Sequence, residues 1–201
     1  MVNKINKKNF LILLLSLSIL KFIIAITYGD YSYEQEWEII LKNLLNDFSF
    51  SYYEIEGQKI PTAYMPPLYP YIIYFVSIFG FSEFITVKII LFLQCLFSGI
   101  SIIFFYKILL KIFNERYSII FSLIYFLIPI NFYSAIQISS VSFQISIFIF
   151  FLYYYLTAQT NFCFIKLGLF SGLALLIRGE FWLLFLILIF FKMITNKIKL
   201  K

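Results

Sequence analysis

Residues Pro66 to Gly80, which read PPLYPYIIYFVSIFG, decide how the chain is threaded through a membrane. The apolar run Pro70–Phe79 has only ten residues, with prolines on one side and a glycine on the other. Ten helical residues reach about 15 Å, half of the roughly 30 Å hydrocarbon core of a bilayer. The run is therefore too short to cross as a helix, and we expect it to lie in or dip into the outer leaflet.

The composition identifies lipid as the solvent of most of the chain. The 201 residues are 62% hydrophobic and only 13% charged, with a mean hydropathy of +0.93. A soluble domain usually carries about a quarter charged residues, and a body of this size cannot bury so much apolar surface. Histidine is absent and both cysteines lie in apolar runs, so neither His-based catalysis, a zinc site nor a disulfide framework is indicated. We predict an all-α, polytopic membrane protein that forms a single module over residues 1–201.

Six apolar runs are candidate membrane spans. The first follows basic residues and has no small-residue cleavage site after it, so we interpret it as a retained helix rather than a signal peptide. Lys21 lies inside this first span. The predicted spans are Phe10–Ile26, Ile89–Tyr106, Tyr117–Tyr133, Val141–Thr157, Phe162–Ile177 and Phe181–Thr195.

The distribution of lysine and arginine indicates the orientation. If Pro70–Phe79 does not cross, eleven of these residues lie in the cytoplasm and four outside; if it crosses, the numbers become five and ten. Cytoplasmic loops carry the excess of positive charge, which favours the first arrangement. We therefore expect a multi-pass membrane protein with both termini cytoplasmic. Its long outer loop, residues 28–88, contains most of the acidic side chains.

The outer loop carries the pattern of an amphipathic helix. Large apolar residues recur at helical spacing over residues 37–48, Glu38 and Lys42 form a favourable i,i+4 pair, and Ser32 and Gln35 have the spacing of a capping box. We predict a helix that lies on the outer membrane surface, with Pro70–Phe79 as a second juxtamembrane helix.

Three acids, Asp30, Glu34 and Glu36, cluster where the first span emerges. The helix macrodipole favours an acidic side chain near the start of a helix. This alone is a sufficient reason for the presence of any one of the three acids. A carboxylate at the boundary of water and lipid is also suited to act as a general base on a hydroxyl group. The sequence leaves open which of the three would do so.

Arg178 stands at the end of the stretch GLALLIR, residues 172–178, where the predicted topology places it at the outer boundary of the membrane. An ionisable side chain at that depth is a candidate functional residue. One interpretation is a guanidinium with a functional role at this boundary. The other is an anchor that extends toward the headgroups, or a local pair with Glu180.

Several short motifs appear in a recognisable order: Glu36-Trp37, the PPLYP segment at 66–70, Phe79-Gly80, Gln94, and GLALLIR at 172–178. In this order the chain resembles the GT-C glycosyltransferases, and among them the dolichyl-phosphate-mannose-protein mannosyltransferase-like group of bacterial membrane enzymes. The likeness extends from about Phe10 to Glu180. In place of a further outer acid found in that family, this chain has Ser139 and Ser140.

The resemblance implies transfer of a sugar from a polyprenyl-phosphate donor to a periplasmic hydroxyl on lipopolysaccharide, another lipid, a glycan or a protein, with inversion at the anomeric carbon. It implies that one of Glu36, Asp30 and Glu34 is the general base. It also implies that Arg178 and Glu180 form the binding site for the donor phosphate. Members sometimes use a divalent metal, Mg or Mn, but no residue is assigned to one here. Because family enzymes are typically about twice as long, we expect an N-terminal module: a fragment, a truncated gene product, or half of an assembly that a partner subunit completes.

Two other function classes stay open. A lipid or sugar transporter of the flippase kind would use the outer loop as a gate, although the predicted spans contain few polar groups and show no internal repeat. An inactive subunit that binds polyprenyl lipid beside a complete enzyme is the third class. No feature of the sequence indicates a nucleic-acid partner.

Overall fold

The computed structural model describes residues 7–33, 35–55, 57–62, 65–157 and 161–199. In these ranges the chain forms nine α-helices, a two-stranded antiparallel hairpin and a 3₁₀ turn. The helices are α1 Lys7–Tyr28, α2 Gln35–Asp47, α3 Leu68–Ser77, α4 Glu83–Leu109, α5 Glu115–Leu127, α6 Pro129–Ile136, α7 Ser140–Thr157, α8 Asn161–Ile177 and α9 Trp182–Lys199. The strands are β1 Ser51–Ile55 and β2 Gln58–Pro61, and the 3₁₀ turn is Gly179–Phe181.

Several helices are long and apolar enough to cross a bilayer. Within the described ranges they are α1 from Phe10 onward, α4 and α7, each with at least 18 residues. A fourth candidate is the pair α5 and α6, whose axes are bent by 51° at Ile128. The chain is thus a predominantly helical membrane protein.

The predicted span Tyr117–Tyr133 is broken at Pro129. Proline has no N–H to donate and its ring clashes with the preceding turn, so a helix rarely continues through it. Here α5 ends at Leu127 and Pro129 opens α6. The sequence contained this signal, and the predicted span is a bent pair of helices.

Helix α4 lies at the centre of the bundle. It packs against α1, α3, α5, α6 and α7, and α7 packs in turn against α8. Buried serines on these helices bond to carbonyls of their own helix, as Ser101 Oγ does to the carbonyl of Ser98 at 2.8 Å. Small hydroxyls that are satisfied locally let helix backbones approach closely without leaving an unpaired polar group in lipid.

Lys21 of α1 is fully buried among three other residues. Its Nζ donates to Ser98 Oγ at 3.0 Å and to the carbonyl of Asn131 at 3.2 Å, and lies 4.1 Å from the centre of the Phe126 ring. We call Lys21, Ser98, Asn131 and Phe126 the inner polar cluster. Since Asn131 Nδ2 also bonds to the carbonyl of Tyr125 at 3.1 Å, the cluster ties α1 and α4 to the break between α5 and α6.

Helix α2 forms where the amphipathic pattern predicts it, but its apolar face packs on protein. The ring of Trp37 meets Tyr69 of α3 edge-on, with centroids 4.2 Å apart, and α2 buries a row of apolar side chains, Trp37, Ile40, Leu41 and Leu44. The expectation that this face lies on the membrane was wrong because α3 covers it. The Glu38–Lys42 pair is confirmed. Ser32 bonds to Asp30, and the helix begins three residues later, at Gln35.

The hairpin of β1 and β2 follows α2 and was not expected. Gly57 occupies the turn with a positive φ of 79°, a conformation that glycine adopts without strain. Asn43 Nδ2 donates to the carbonyl of Ser51 at 2.9 Å, and Lys59 pairs with Asp47, so the hairpin is held against α2. Beyond it, α3 has ten residues, as the short apolar run predicts.

Candidate functional site

A cavity of about 960 Å³ opens at one end of the bundle. Five short parts of the chain line it: the start of α2, Phe50, described residues between Thr62 and Tyr71, the turn at 139–141 that begins α7, and the end of α8 with residues 178–180. Parts that are more than a hundred residues apart in sequence therefore meet around one space.

Three of the five predicted site residues line this cavity: Glu36, Arg178 and Glu180. Asp30 is not among the lining residues, and Glu34 lies outside the described residues. The structure thus brings together one candidate base and both residues that were assigned to the donor phosphate.

Glu36 owes its position to the residue that follows it. It is the second residue of α2 and partly buried, while Trp37 is buried against α3 and also lines the cavity. Because the indole fixes the first turn of α2 on α3, the Glu36 carboxylate is held beside the cavity.

Arg178 projects from extended backbone directly after α8, with φ −153° and ψ 116°. Its Nη2 donates to Glu180 Oε1 at 3.1 Å and its Nη1 donates to Gln144 Oε1 of α7 at 3.4 Å. The side chain is 38% exposed. Arginine carries five N–H groups in a fixed fork, and the described contacts occupy two of them. The guanidinium is therefore oriented by Glu180 and Gln144 while keeping donors for another anion.

The first turn of α7 forms the wall between these charged groups. Ser139 Oγ accepts from the backbone N–H of Val141 at 3.3 Å, and Ser139, Ser140 and Val141 all line the cavity. The N-terminal end of a helix carries a partial positive charge and unpaired N–H groups, both of which favour an anion nearby. This end of α7 adds to the positive character that Arg178 gives the cavity.

Asp30 has a different setting. Its Oδ1 accepts from the backbone N–H of Ser32 at 2.9 Å and from Ser32 Oγ at 2.6 Å, and these bonds hold the pKa of the exposed Asp30 carboxyl below its usual value. A carboxylate with a lowered pKa that is already bonded in a local turn is a weak proton acceptor. Its geometry is that of a turn residue.

The cavity offers a limited donor set for a metal ion. In the part of the chain that the structure describes, no group of three or more His, Cys, Asp or Glu side chains lies close enough to hold one. Two carboxylates, Glu36 and Glu180, line the cavity, and that of Glu180 is already paired with Arg178. The described residues therefore do not form a binding site for Mg or Mn.

Sequence reasoning had not assigned several residues that shape this site. Phe50 and Tyr71 stack with their ring centres 5.7 Å apart on one wall, and Gln144 supports Arg178 from α7. Ser139 and Ser140 had been noted only as replacing an acid. Two serines directly before a long apolar run are a helix-start signal, and that signal would have identified the start of α7.

Comparison with protein-family models, with curated proteins and with solved structures finds no match for this chain.

Proposed function

We propose that the chain is a membrane glycosyltransferase, or a module of one, and that its cavity binds a polyprenyl-phosphate sugar. One observation carries the proposal: a single cavity is lined both by the Glu36 carboxylate and by the Arg178 guanidinium, from opposite ends of the chain. A transfer from a phosphate donor to a hydroxyl needs these two groups, a base for the incoming oxygen and a cation for the departing phosphate.

The proposed topology has six spans, with α5 and α6 together forming the third. It places both termini in the cytoplasm and the cavity on the periplasmic side of the inner membrane. All parts of the chain that line the cavity belong to the side that the charge distribution assigns to the outside.

Helix α3 is proposed to dip into the outer leaflet and return. Its Tyr69 hydroxyl donates to Gln94 Oε1 at 2.9 Å, and Gln94 lies eleven residues, or about 16 Å, from the start of α4 at Glu83. The start of α3 is therefore level with the interior of α4. The opposite face of α3 is apolar and exposed at Phe75 (61%), and Phe79 just after the helix is 63% exposed, as a surface in contact with lipid requires.

In the proposed reaction the acceptor oxygen attacks the anomeric carbon of the donor sugar from the side opposite the phosphate. The carbon–oxygen bond to the phosphate breaks, and the polyprenyl phosphate departs with the bonding electrons. The carboxylate of Glu36 takes the proton of the acceptor hydroxyl. Attack from the opposite side inverts the configuration at the anomeric carbon.

Arg178 and the first turn of α7 bind the phosphate in this scheme. A guanidinium can hold two phosphate oxygens in a bidentate fork, which a lysine ammonium does not reproduce. Glu180 and Gln144 keep the fork aimed at the cavity. As the phosphate leaves and its charge grows, these contacts strengthen, which is the condition for accelerating the transfer.

The test is sugar transfer from labelled polyprenyl-phosphate sugars in membranes that contain the chain. Removing a general base costs about 10²–10⁴-fold in rate, so Glu36→Gln should lose nearly all transfer. Asp30→Asn is the matched control, because Asp30 lies on the same loop but outside the cavity lining, and its transfer should stay near wild type. Glu34→Gln completes the set.

Full activity of Glu36→Gln would remove Glu36 as the base, and full activity of all three variants would remove the carboxylate mechanism. A wild-type chain that binds the lipid phosphate without transferring sugar would instead be the inactive subunit. Net movement of the intact lipid across vesicles would indicate the transporter.

A further inference from the structure

Gln94 of α4 lies below the cavity and is fully buried. It is the residue through which two walls of the cavity are joined. Its Nε2 donates to the carbonyl of Ser134 at 3.0 Å and to that of Gln137 at 2.8 Å, while its Oε1 accepts from the Tyr69 hydroxyl at 2.9 Å. All three bonds reach parts of the chain that are distant in sequence, and none of them belongs to a regular helix ladder.

On one side these bonds fix the approach to α7. Ser134 is in the last turn of α6, and Gln137 immediately follows that helix. Two residues later the chain reaches Ser139 and Ser140, which line the cavity. Ser142 Oγ also donates to the backbone carbonyl of Gln94 at 3.4 Å, so the first turn of α7 is tied to the same point of α4.

On the other side the Tyr69 bond fixes α3 and, through it, α2. The Tyr69 ring is fully buried and meets the ring of Trp37 edge-on. Trp37 is the immediate neighbour of Glu36. A chain of contacts therefore runs from Gln94 through Tyr69 and Trp37 to the first turn of α2.

We propose that Gln94 and Tyr69 form a clamp that positions the Glu36 wall of the cavity against the α7 wall. The inference rests on the proposed function for what the cavity binds, but not for the geometry of the clamp. Gln94 and Tyr69 touch no substrate and are positioning residues. A buried amide with three hydrogen-bonded partners is suited to hold two walls in place, because a shift of either wall would leave a buried polar group without its partner.

The experiment uses Trp37 as a reporter. The chain has two tryptophans, and Trp182 is 55% exposed and outside the cavity lining, so Trp182→Phe leaves Trp37 as the single tryptophan, whose emission is excited selectively over that of the tyrosines. Acrylamide quenching of Trp37 and titration with undecaprenyl monophosphate in nanodiscs are then measured well below the melting temperature. The variants are Gln94→Leu, which removes all three side-chain bonds, and Tyr69→Phe, which removes one hydroxyl.

The matched control is Ser101→Ala. Ser101 is equally buried on α4, but its hydroxyl bonds only within the helix, to the carbonyl of Ser98. We expect Gln94→Leu to make Trp37 at least about twice as quenchable and to weaken lipid-phosphate binding about tenfold, the equivalent of one buried hydrogen bond. Tyr69→Phe should show the same direction with a smaller change, about threefold in Kd. Ser101→Ala should match the parent.

If Gln94→Leu and Tyr69→Phe lower the melting temperature but leave quenching and affinity of the folded protein at the level of Ser101→Ala, the clamp is refuted. If Trp37 responds to both substitutions as expected but undecaprenyl monophosphate does not bind the parent, the clamp stands and the proposed ligand falls.

Discussion

Two cations of this molecule, Lys21 and Arg178, lie among apolar helices, and their surroundings differ. Lys21 is fully buried in the inner polar cluster, where its donors go to Ser98 and Asn131 and a ring covers it. Arg178 is partly exposed at a cavity and is held by Glu180 and Gln144. The first cation has no open side from which a ligand could approach, while the second does.

The difference shows that a charged residue in a membrane segment has two distinct uses. Lys21 has neutral partners on three other helices in place of lipid, so its role is in the fold. Arg178 stands at the rim of the cavity with N–H donors that its described contacts leave unused, and we propose that its role is to bind a ligand there. Membrane depth alone does not separate the two.

The largest expected effect that separates them is on stability. Lys21→Ala should destabilise the protein by about 2–5 kcal/mol, because it leaves a cavity between α1 and α4 and removes the donor from Ser98 and from the Asn131 carbonyl. Arg178→Ala should leave the melting temperature unchanged, since its contacts lie at an open rim. Thermal unfolding in detergent measures both, followed with a thiol dye on a Cys163→Ser background so that the dye reports exposure of the buried Cys95. Equal losses in the two variants would erase the distinction.

A second prediction concerns the tight contact between α1 and α6 at the end of the bundle. A Cβ on Gly29 would lie 2.2 Å from the carbonyl oxygen of Ala25 and 2.6 Å from that of Ile136, both of them backbone atoms. Gly29→Ala should therefore cost about 1–3 kcal/mol. Gly168→Ala on α8, where nothing lies within 4 Å, is the control and should be neutral or slightly stabilising. Equal melting temperatures for the two variants would show that α1 and α6 are not in close contact.

The smallest expected effect concerns Tyr33, which is buried beneath the loop that leads to α2. Burial raises its pKa to about 12, with the Glu83 carboxylate as the lesser cause. Because this folded-state value exceeds the ordinary one of about 10, the stability that Tyr33 contributes is complete below pH 10 and is lost as pH rises to 12. Tyr33→Phe should reduce the fall in melting temperature over that range by about 2–4 °C. If the melting temperature of Tyr33→Phe falls over this pH range as much as that of wild type, the Tyr33 hydroxyl is exposed to water in the folded protein.

The sequence predicted helix positions well and contacts poorly. Apolar run length and the proline and glycine signals located α1, α2, α3, α4 and α7 within a few residues, because those signals act locally. The helical spacing of α2 identified which face is apolar. It did not identify what covers that face, since a membrane and α3 present the same chemistry to Trp37.

Residues of the candidate site could be predicted from the sequence where the residue type itself indicates the chemistry. Glu36, Arg178 and Glu180 stand out because charges are scarce in this chain, and the cavity includes all three. Asp30 was equally prominent in the sequence, but its bonds to Ser32 form only once the loop has folded. Gln94 joins two walls through bonds to Tyr69 and to carbonyls 40 and 43 residues away. Backbone carbonyls are alike in every residue, so no sequence pattern reveals such partners.

The central claim is that the cavity binds a lipid-linked phosphate through Arg178. The most direct test compares undecaprenyl monophosphate with undecaprenol, which has the same chain and no phosphate, in nanodiscs that contain the Trp182→Phe protein. Trp37 lines the cavity and reports binding. We expect saturable binding of undecaprenyl monophosphate, with no competition from undecaprenol. In Arg178→Lys the bidentate contact is lost, so the affinity for undecaprenyl monophosphate should be about tenfold weaker. Equal responses to the two lipids, or an Arg178→Lys protein with unchanged affinity, would contradict it.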